Sequence, residues 1–571
     1  MESNILLETC MGIYGTHVAS TIAGSQVNKA SYYGVAQGTA RGGVPSARLA
    51  VYKACDVDCN MRDILTAFDD AISDGVDIIS ISVGSNDPIE FTSDPIAIGA
   101  FHAMQRDILT VNAAGNAGPG LYTVTGDAPW IFAVAASNTD RRIVTKVLLG
   151  DGTILMGNSI NAFPSSNEEL PLLYGKQVTS ECSENEASYC HARCLDGSLV
   201  EQKVVLCDVD SHMNSLKAAG AIGCIVPNHG NNVSEVGPLP IAALNTNDIN
   251  LVKTYQNSRK KPKVQIFKSE AINHQVAPLV ASFSSRGPSK FIFDIIKPDI
   301  TAPGVEILAA YSPMASPFHT YTDKSSVKYN ILSGTSMACP HVAAAAAFVK
   351  SFHPNWSPSA IKSALMTTAW EMNLNRSLDA EFAYGSGHID PHKAKDPGLV
   401  YDTSKEDYHK IWCSISQRIL NTTCDANLTL RQLNYPSMAV QVDVNSAFVV
   451  SFPRTVINVG KANSTYVASI KGSTKFDIIV DPNILHFTTL NQRISFVVTV
   501  RGKGIKSPLT VESVSLLWTD EDDIYKLQKS IQICPRPSSQ TTQQSNPISS
   551  PLFLGRLELQ PIVGTIDHEG G

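Results

Sequence analysis

Between residues 48 and 113 the chain switches repeatedly between two hydrophobic periods, and no other feature narrows its fold as far. Arg48-Leu49-Ala50-Val51-Tyr52 predicts a strand, and Asp63 to Ser73 carries apolar residues at helical spacing (Ile64, Leu65, Phe68, Ala71, Ile72). Val76 to Val83 is a nearly continuous β-branched run, as expected of a strand buried on both faces. A second helix is predicted over Ile96–Arg106 and a second buried strand over Ile108–Ala113. Strand and helix alternating at this pace predict an α/β fold, a parallel sheet with helices on both faces. Ligands gather at the carboxyl ends of such strands, so the loops after Val83 and Ala113 are where a site is expected.

The texture then changes twice. From 146 to 270 cysteines cluster and β-type segments are short (Val204-Val205-Leu206, Cys224-Ile225-Val226), which predicts an inserted α+β module. The α/β pattern resumes at Val280. Residues 433–534 carry alternating strands (Phe448-Val449-Val450, Ile494 to Val500, Val511 to Trp518) between turn residues, as in a β-sandwich. Pro535 to Pro551 is rich in Pro, Ser, Thr and Gln and is expected to be disordered.

Composition excludes several classes. Net charge is −7, and no basic cluster exceeds Arg259-Lys260-Lys261, so no nucleic-acid partner is expected. The longest apolar run, Val342 to Val349, is far short of the roughly 20 residues of a membrane helix. No phosphate-binding loop, dinucleotide fingerprint or calcium loop is visible, so no cofactor is expected. Cys182, Cys190 and Cys194 with His191 have the atoms of a metal cluster but no paired C-x-x-C, which favours disulfides; no metal site is predicted. Twelve cysteines and six Asn-x-Ser/Thr acceptors (Asn232, Asn355, Asn375, Asn421, Asn427, Asn463) predict a secreted, extracellular protein. Residues 1–12 lack Lys and Arg and read as no signal peptide, so the front of the protein is expected to be missing from this chain.

The most informative stretch is Ser333-Gly334-Thr335-Ser336-Met337-Ala338-Cys339-Pro340-His341, followed by an alanine run over 343–347. Gly334 allows a tight turn, Pro340 suits a first helical turn and the alanines favour helix. Ser336 therefore lies where a helix begins. Its position alone is that of an N-cap serine, but free N–H groups and the positive dipole end there also suit a developing oxyanion.

The whole string resembles the nucleophile motif of the subtilisin-like serine proteases, in the form of the plant, cucumisin-type members. Gly15-Thr16-His17-Val18-Ala19-Ser20 is similar to most of the histidine motif, and Ala113-Ala114-Gly115-Asn116-Ala117-Gly118-Pro119 to the oxyanion-asparagine motif. Phe283-Ser284-Ser285-Arg286-Gly287-Pro288, Lys297-Pro298-Asp299-Ile300-Thr301-Ala302-Pro303-Gly304 and Leu433-Asn434-Tyr435-Pro436-Ser437 resemble further signatures in the right order. The resemblance implies a subtilisin-like sheet (1–145 and 271–410) interrupted by a protease-associated domain (146–270), then a fibronectin-III-like domain (430–534) and a tail (535–571). It implies an endopeptidase acting on protein or peptide substrates, with Ser336 as nucleophile and Asn116 in the oxyanion hole. Ser80, Ile81, Ser82, Val83, Gly84, Ala114 and Gly115 would line the substrate, the first five by strand addition. A homodimer is a further possibility the family raises. Cys339 reads as a buried packing residue, and Asp299, His341, His353 and Trp356 as structural.

Two departures bear on activity. Tyr14 stands where the family has its catalytic histidine, and His17 matches the second, structural histidine. The acid strand expected ahead of them is absent: residues 1–13 offer only Glu2 and Glu8. Loss of the serine or base of the subtilisin triad costs about 10⁶ in kcat. This exact chain is therefore expected to be inactive, either as a damaged form of a protease or as a silent homologue that binds peptides or proteins.

Overall fold

Helix α1 (Ile13–Ala23) opens the computed structural model, which describes residues 13–55, 59–165, 168–179, 181–210, 212–228, 233–318, 323–372, 379–420, 428–472, 475–503, 511–520 and 526–535. All of these lie in one compact unit, Met1–Arg536; the second unit, Pro537–Gly571, which holds nearly all of the expected tail, is outside the described residues. So are Glu2, Glu8, and the acceptors Asn232, Asn375, Asn421 and Asn427.

The predicted alternation is present. Helix α2 (Met61–Asp74) buries Ile64, Phe68 and Ala71, spaced four and three apart on one stripe, and Gly75 ends it in the left-handed conformation at φ 71°. Strand β1 (Ile78–Ile81) follows. Helix α3 (Pro95–Gln105) starts on Asp94, whose carboxylate accepts from the Ile96 N–H, with Pro95 in the first turn. Gly99 lets α3 close on α2, since a Cβ there would sit 2.3 Å from the Phe68 ring. Strands β2 (Leu109–Ala113), β3 (Ile131–Ser137) and β4 (Ile300–Pro303) complete a four-stranded parallel sheet in the order β4-β3-β2-β1. The antiparallel pair β5 (Ile307–Ala310) and β6 (Tyr329–Leu332) leads into helix α4 (Thr335–Phe352), whose alanine-rich face packs across all four sheet strands and against α1.

Two expectations are corrected. Residues 48–52 form no strand: the segment is irregular, with Leu49 43% and Val51 71% exposed. A strand persists only where a ladder receives it, and among the described residues none does. For the same reason β1, an end strand, is half-buried along its length, where burial on both faces was expected.

Between β3 and β4, an eight-stranded sheet is built from strands running from Arg141–Leu149 to Glu270–Asn273. Disulfides Cys182–Cys194 and Cys190–Cys207 staple its loops, so these thiols are not metal ligands. The C-terminal strands form four- and five-stranded sheets enclosing Tyr401, Phe452, Phe496 and Trp518.

A buried ionic cluster joins this sandwich to the parallel sheet. Asp299, fully buried at the start of β4, holds Lys297 at 2.7 Å and Lys362 at 3.2 Å, accepts the Ala133 N–H at 2.8 Å, and receives the Tyr435 hydroxyl. Burial works to raise the Asp299 pKa, and the two ammonium groups outweigh it, so it lies below the usual carboxylate range. Asp299→Ala would strand two buried cations and is expected to cost about 3–5 kcal/mol. Tyr435→Phe, which removes one donor, is expected to cost only about 1–3 kcal/mol. Equilibrium denaturation of the two variants checks both the size and the order.

Candidate active site

Ser336 is the second residue of α4, half-buried above the carboxyl ends of β1 and β2. The expected first-turn position of Pro340 is corrected: it sits in the second turn, four residues after Ser336. A proline there has no N–H for the Ser336 carbonyl. That carbonyl instead accepts the Ser82 hydroxyl at 2.9 Å. In return the Ser336 hydroxyl donates to the Ser82 carbonyl at 3.2 Å. The helix terminus and the end of β1 are thus cross-linked in both directions, and the proline makes one of the two links available.

Asn116 meets the same terminus from the β2 side. Gly115 turns the chain at φ 100°, where a Cβ would lie 2.7 Å from the Ser285 hydroxyl, so a glycine is required. The Asn116 Oδ1 accepts the Thr335 N–H at 2.9 Å and the Thr335 hydroxyl at 2.8 Å. The obligate N–H donor fixes the amide's orientation, leaving Nδ2 of this exposed residue beside Gly334. Ser336 and the Asn116 amide therefore meet at one helix N-terminus, where free N–H groups and the positive dipole end favour a developing negative charge.

The other expected lining residues divide. Ser82, Val83 and Gly84 run out from β1, with Gly84 exposed, and Gly115 is half-buried opposite. Ser80 and Ile81 belong to β1 itself, where the Ser80 hydroxyl lies 3.6 Å from the Cys339 sulfur. Ala114 backs the wall: it is fully buried, its N–H on Val134 and its carbonyl on Thr125. Burial pushes the Cys339 thiol up to about 11, so it stays protonated in its packed position.

The histidines lie elsewhere. His17 is fully buried, its Nε2 donating to the Ile307 carbonyl at 2.9 Å, which rivets α1 to β5. Tyr14, a turn earlier, is half-exposed, and partial burial raises its pKa. His341 bonds back to the Met337 carbonyl within α4, and His353 stacks on Trp356 at 3.8 Å. No imidazole among the described residues hydrogen-bonds Ser336, and no group of three or more ligating side chains is placed to hold a metal.

Sequence reading missed two groups. Asn112, buried in β2, donates through Nδ2 to the carbonyls of both Ile81 (2.8 Å) and Val83 (2.9 Å), extending the β1–β2 ladder past the point where the strands part. An amide inside a fully buried strand was the available signal. Glu306, buried with φ 56°, accepts the N–H groups of Ile143 and Ser234 while its own N–H binds the Ser333 hydroxyl. It ties the inserted sheet to the loop before Ser336.

Burial lowers the His17 pKa to about 4, against about 6.5 unfolded. The unfolded chain takes this proton first, so stability due to neutral His17 is full above pH 6.5 and falls as pH drops towards 4. Between pH 7 and 5 the parent is expected to lose about 2 kcal/mol that His17→Gln does not. Chemical denaturation at the two pH values measures the difference.

A model described as "Subtilase family" matches residues 12–387, and one described as "Fibronectin type-III domain" matches 432–533. Subtilisin-like protease SBT4.4 of Arabidopsis thaliana is 50% identical over 524 residues, covering 89% of this chain and 71% of that protein. Subtilisin-like proteases SBT4.3 and SBT4.13 of the same plant are 50% and 46% identical with the same coverage.

Proposed function

Because this chain belongs to the subtilase family of serine proteases, we propose that it seats an extended peptide in the groove between Ser82–Gly84 and Gly115–Asn116, against the Ser336 hydroxyl. The observation that carries this reading is the convergence of Ser336 and the Asn116 amide on one helix terminus. In an active form Ser336 Oγ attacks the scissile carbonyl, its proton passes to a base, and the oxyanion rests on the Asn116 Nδ2 and backbone N–H groups.

As its sequence stands, this chain is proposed to bind and not to turn over. Tyr14 occupies the family's base position, and a phenol with a raised pKa is a poor acceptor for a serine proton at neutral pH. The Ser336 proton is meanwhile engaged by the Ser82 carbonyl. The acid is expected ahead of Ile13, outside the described residues. Peptide binding without hydrolysis is thus the favoured reading for this polypeptide, and acyl-enzyme chemistry that of a form with a histidine in place of Tyr14. The sheet between Arg141 and Asn273 fits a protease-associated module. The disulfides Cys55–Cys59, Cys182–Cys194 and Cys190–Cys207 and the exposed acceptors Asn355 and Asn463 support secretion. None of the described helices is long and apolar enough to cross a membrane.

A fluorophosphonate probe and fluorescently labelled peptides separate the parts of this reading. The full chain is expected to bind peptide, yet to label no faster than Ser336→Ala. Labelling that depends on Ser336 would contradict the silent state, and absence of peptide binding would contradict the groove.

A further inference from the structure

The loops of the inserted sheet carry a pair of histidines that takes no part in the groove. His191 lies between Cys190 and Cys194, each of them in a disulfide, and the Cys190–Cys207 bond draws in the segment that ends at His212. The Asp208 N–H ties the same two segments again, on the Ser188 carbonyl at 2.8 Å. Each histidine then opens a short helical turn and accepts a backbone N–H from it, His191 from Cys194 at 2.8 Å and His212 from Leu216 at 3.1 Å. With both backbones fixed in this way, the two imidazole rings stand 4.5 Å apart between centroids and are inclined at 60°. Among the described residues no other two imidazoles touch.

Their nitrogens are uncommitted. His17, His341 and His353 each engage a backbone carbonyl, whereas no nitrogen of His191 or His212 has a hydrogen-bond partner among the described residues, and neither side chain caps the turn it opens. Both residues are half-buried. Rotation about χ2, which is soft in histidine, therefore turns a nitrogen of each ring towards the other without breaking a bond. Imidazole suits zinc, copper and nickel, and the ring separation selects among them. An ion about 2.0 Å from a ring nitrogen lies about 3.2 Å from that ring's centroid. Centroids 4.5 Å apart then subtend about 90° at the ion. That is the cis angle of a tetragonal Cu²⁺ or Ni²⁺ centre, narrower than the roughly 109° of tetrahedral Zn²⁺, and Cu²⁺ is the tighter binder of the first two. Charge agrees: the Asp210 carboxylate attracts a cation at His212, and Arg193, two residues from His191, is held by Glu186 at 2.8 Å.

We propose that His191 and His212 chelate one Cu²⁺ ion through one nitrogen each, with water in the remaining equatorial positions, and that the ion braces the disulfide-linked loops of the inserted module. The thiols nearby are locked in disulfides, and no third side chain among the described residues completes the pair into a larger cluster, so the ion is an exchangeable one.

The full chain, stripped with EDTA and desalted, is titrated with Cu²⁺ beside its His191→Gln and His212→Gln variants, by calorimetry and by electron paramagnetic resonance. The parent is expected to bind its first equivalent at least about tenfold tighter than either variant, since even disturbing a ligand's own partner costs that much. Its spectrum is expected to show coupling to two imidazole nitrogens, and that of each variant to one fewer. One equivalent is expected to raise the melting temperature of the parent and to leave the variants unmoved. In EDTA all three are expected to melt alike, because neither imidazole holds a hydrogen bond in the free protein. Equal affinity in the parent and both variants, loss in only one variant, or no melting shift in the parent would overturn the proposal. A first-equivalent spectrum of the parent without two imidazole nitrogens would overturn it as well, and that reading is independent of how the variants fold.

Discussion

The cross-link between Ser82 and Ser336 is the interaction on which the rest of the site depends. It joins the end of a sheet strand to the start of a helix through two hydrogen bonds that run in opposite directions. One exists because Pro340 withholds the N–H that would otherwise close the helix on the Ser336 carbonyl. A proline that would ordinarily weaken a helix therefore frees an acceptor for a neighbouring strand. The hydroxyl of Ser336 is fixed relative to the groove wall by the same contact, with no histidine involved.

The surrounding structure holds both halves of that link in place. On the strand side, the Asn112 side chain takes the carbonyls on either side of Ser82, so the pleat cannot turn. On the helix side, the Gly334 N–H rests on the Gly304 carbonyl just past β4, and Asn116 caps Thr335. Strand β4 is anchored at its other end by Asp299 and its two lysines, which Tyr435 connects to the C-terminal sandwich. Glu306 brings in the inserted sheet through Ile143 and Ser234. Three parts of the chain thereby bear on one loop. The polar contacts among them are buried, where a missing partner is costly.

Much of this was legible in the sequence wherever local period and tertiary burial agree. Helices α2 and α3 and strand β2 fall within a residue or two of their predicted bounds, because stripes such as Ile64, Phe68 and Ala71 both favour a helix and face the core. The convergence of Ser336 with Asn116 was legible from motif order. Residues 48–52 were misread because strand propensity is realised only through a partner, which a single segment cannot reveal. The Asp299 cluster was read only as structural, since its members come from positions 297 to 435 and nothing local ties them together. Pro340 was placed a turn too early.

A double-mutant cycle on Ser82 and Pro340, read by equilibrium denaturation, tests the central link most directly. In the parent, Ser82→Ala leaves the Ser336 carbonyl without its donor and should cost about 1–2 kcal/mol. In a Pro340→Ala background the restored N–H takes that carbonyl, so the same Ser82→Ala change should cost about 1 kcal/mol less. Strictly additive effects would contradict the account, since they would mean that the proline does not set the acceptor free for the strand.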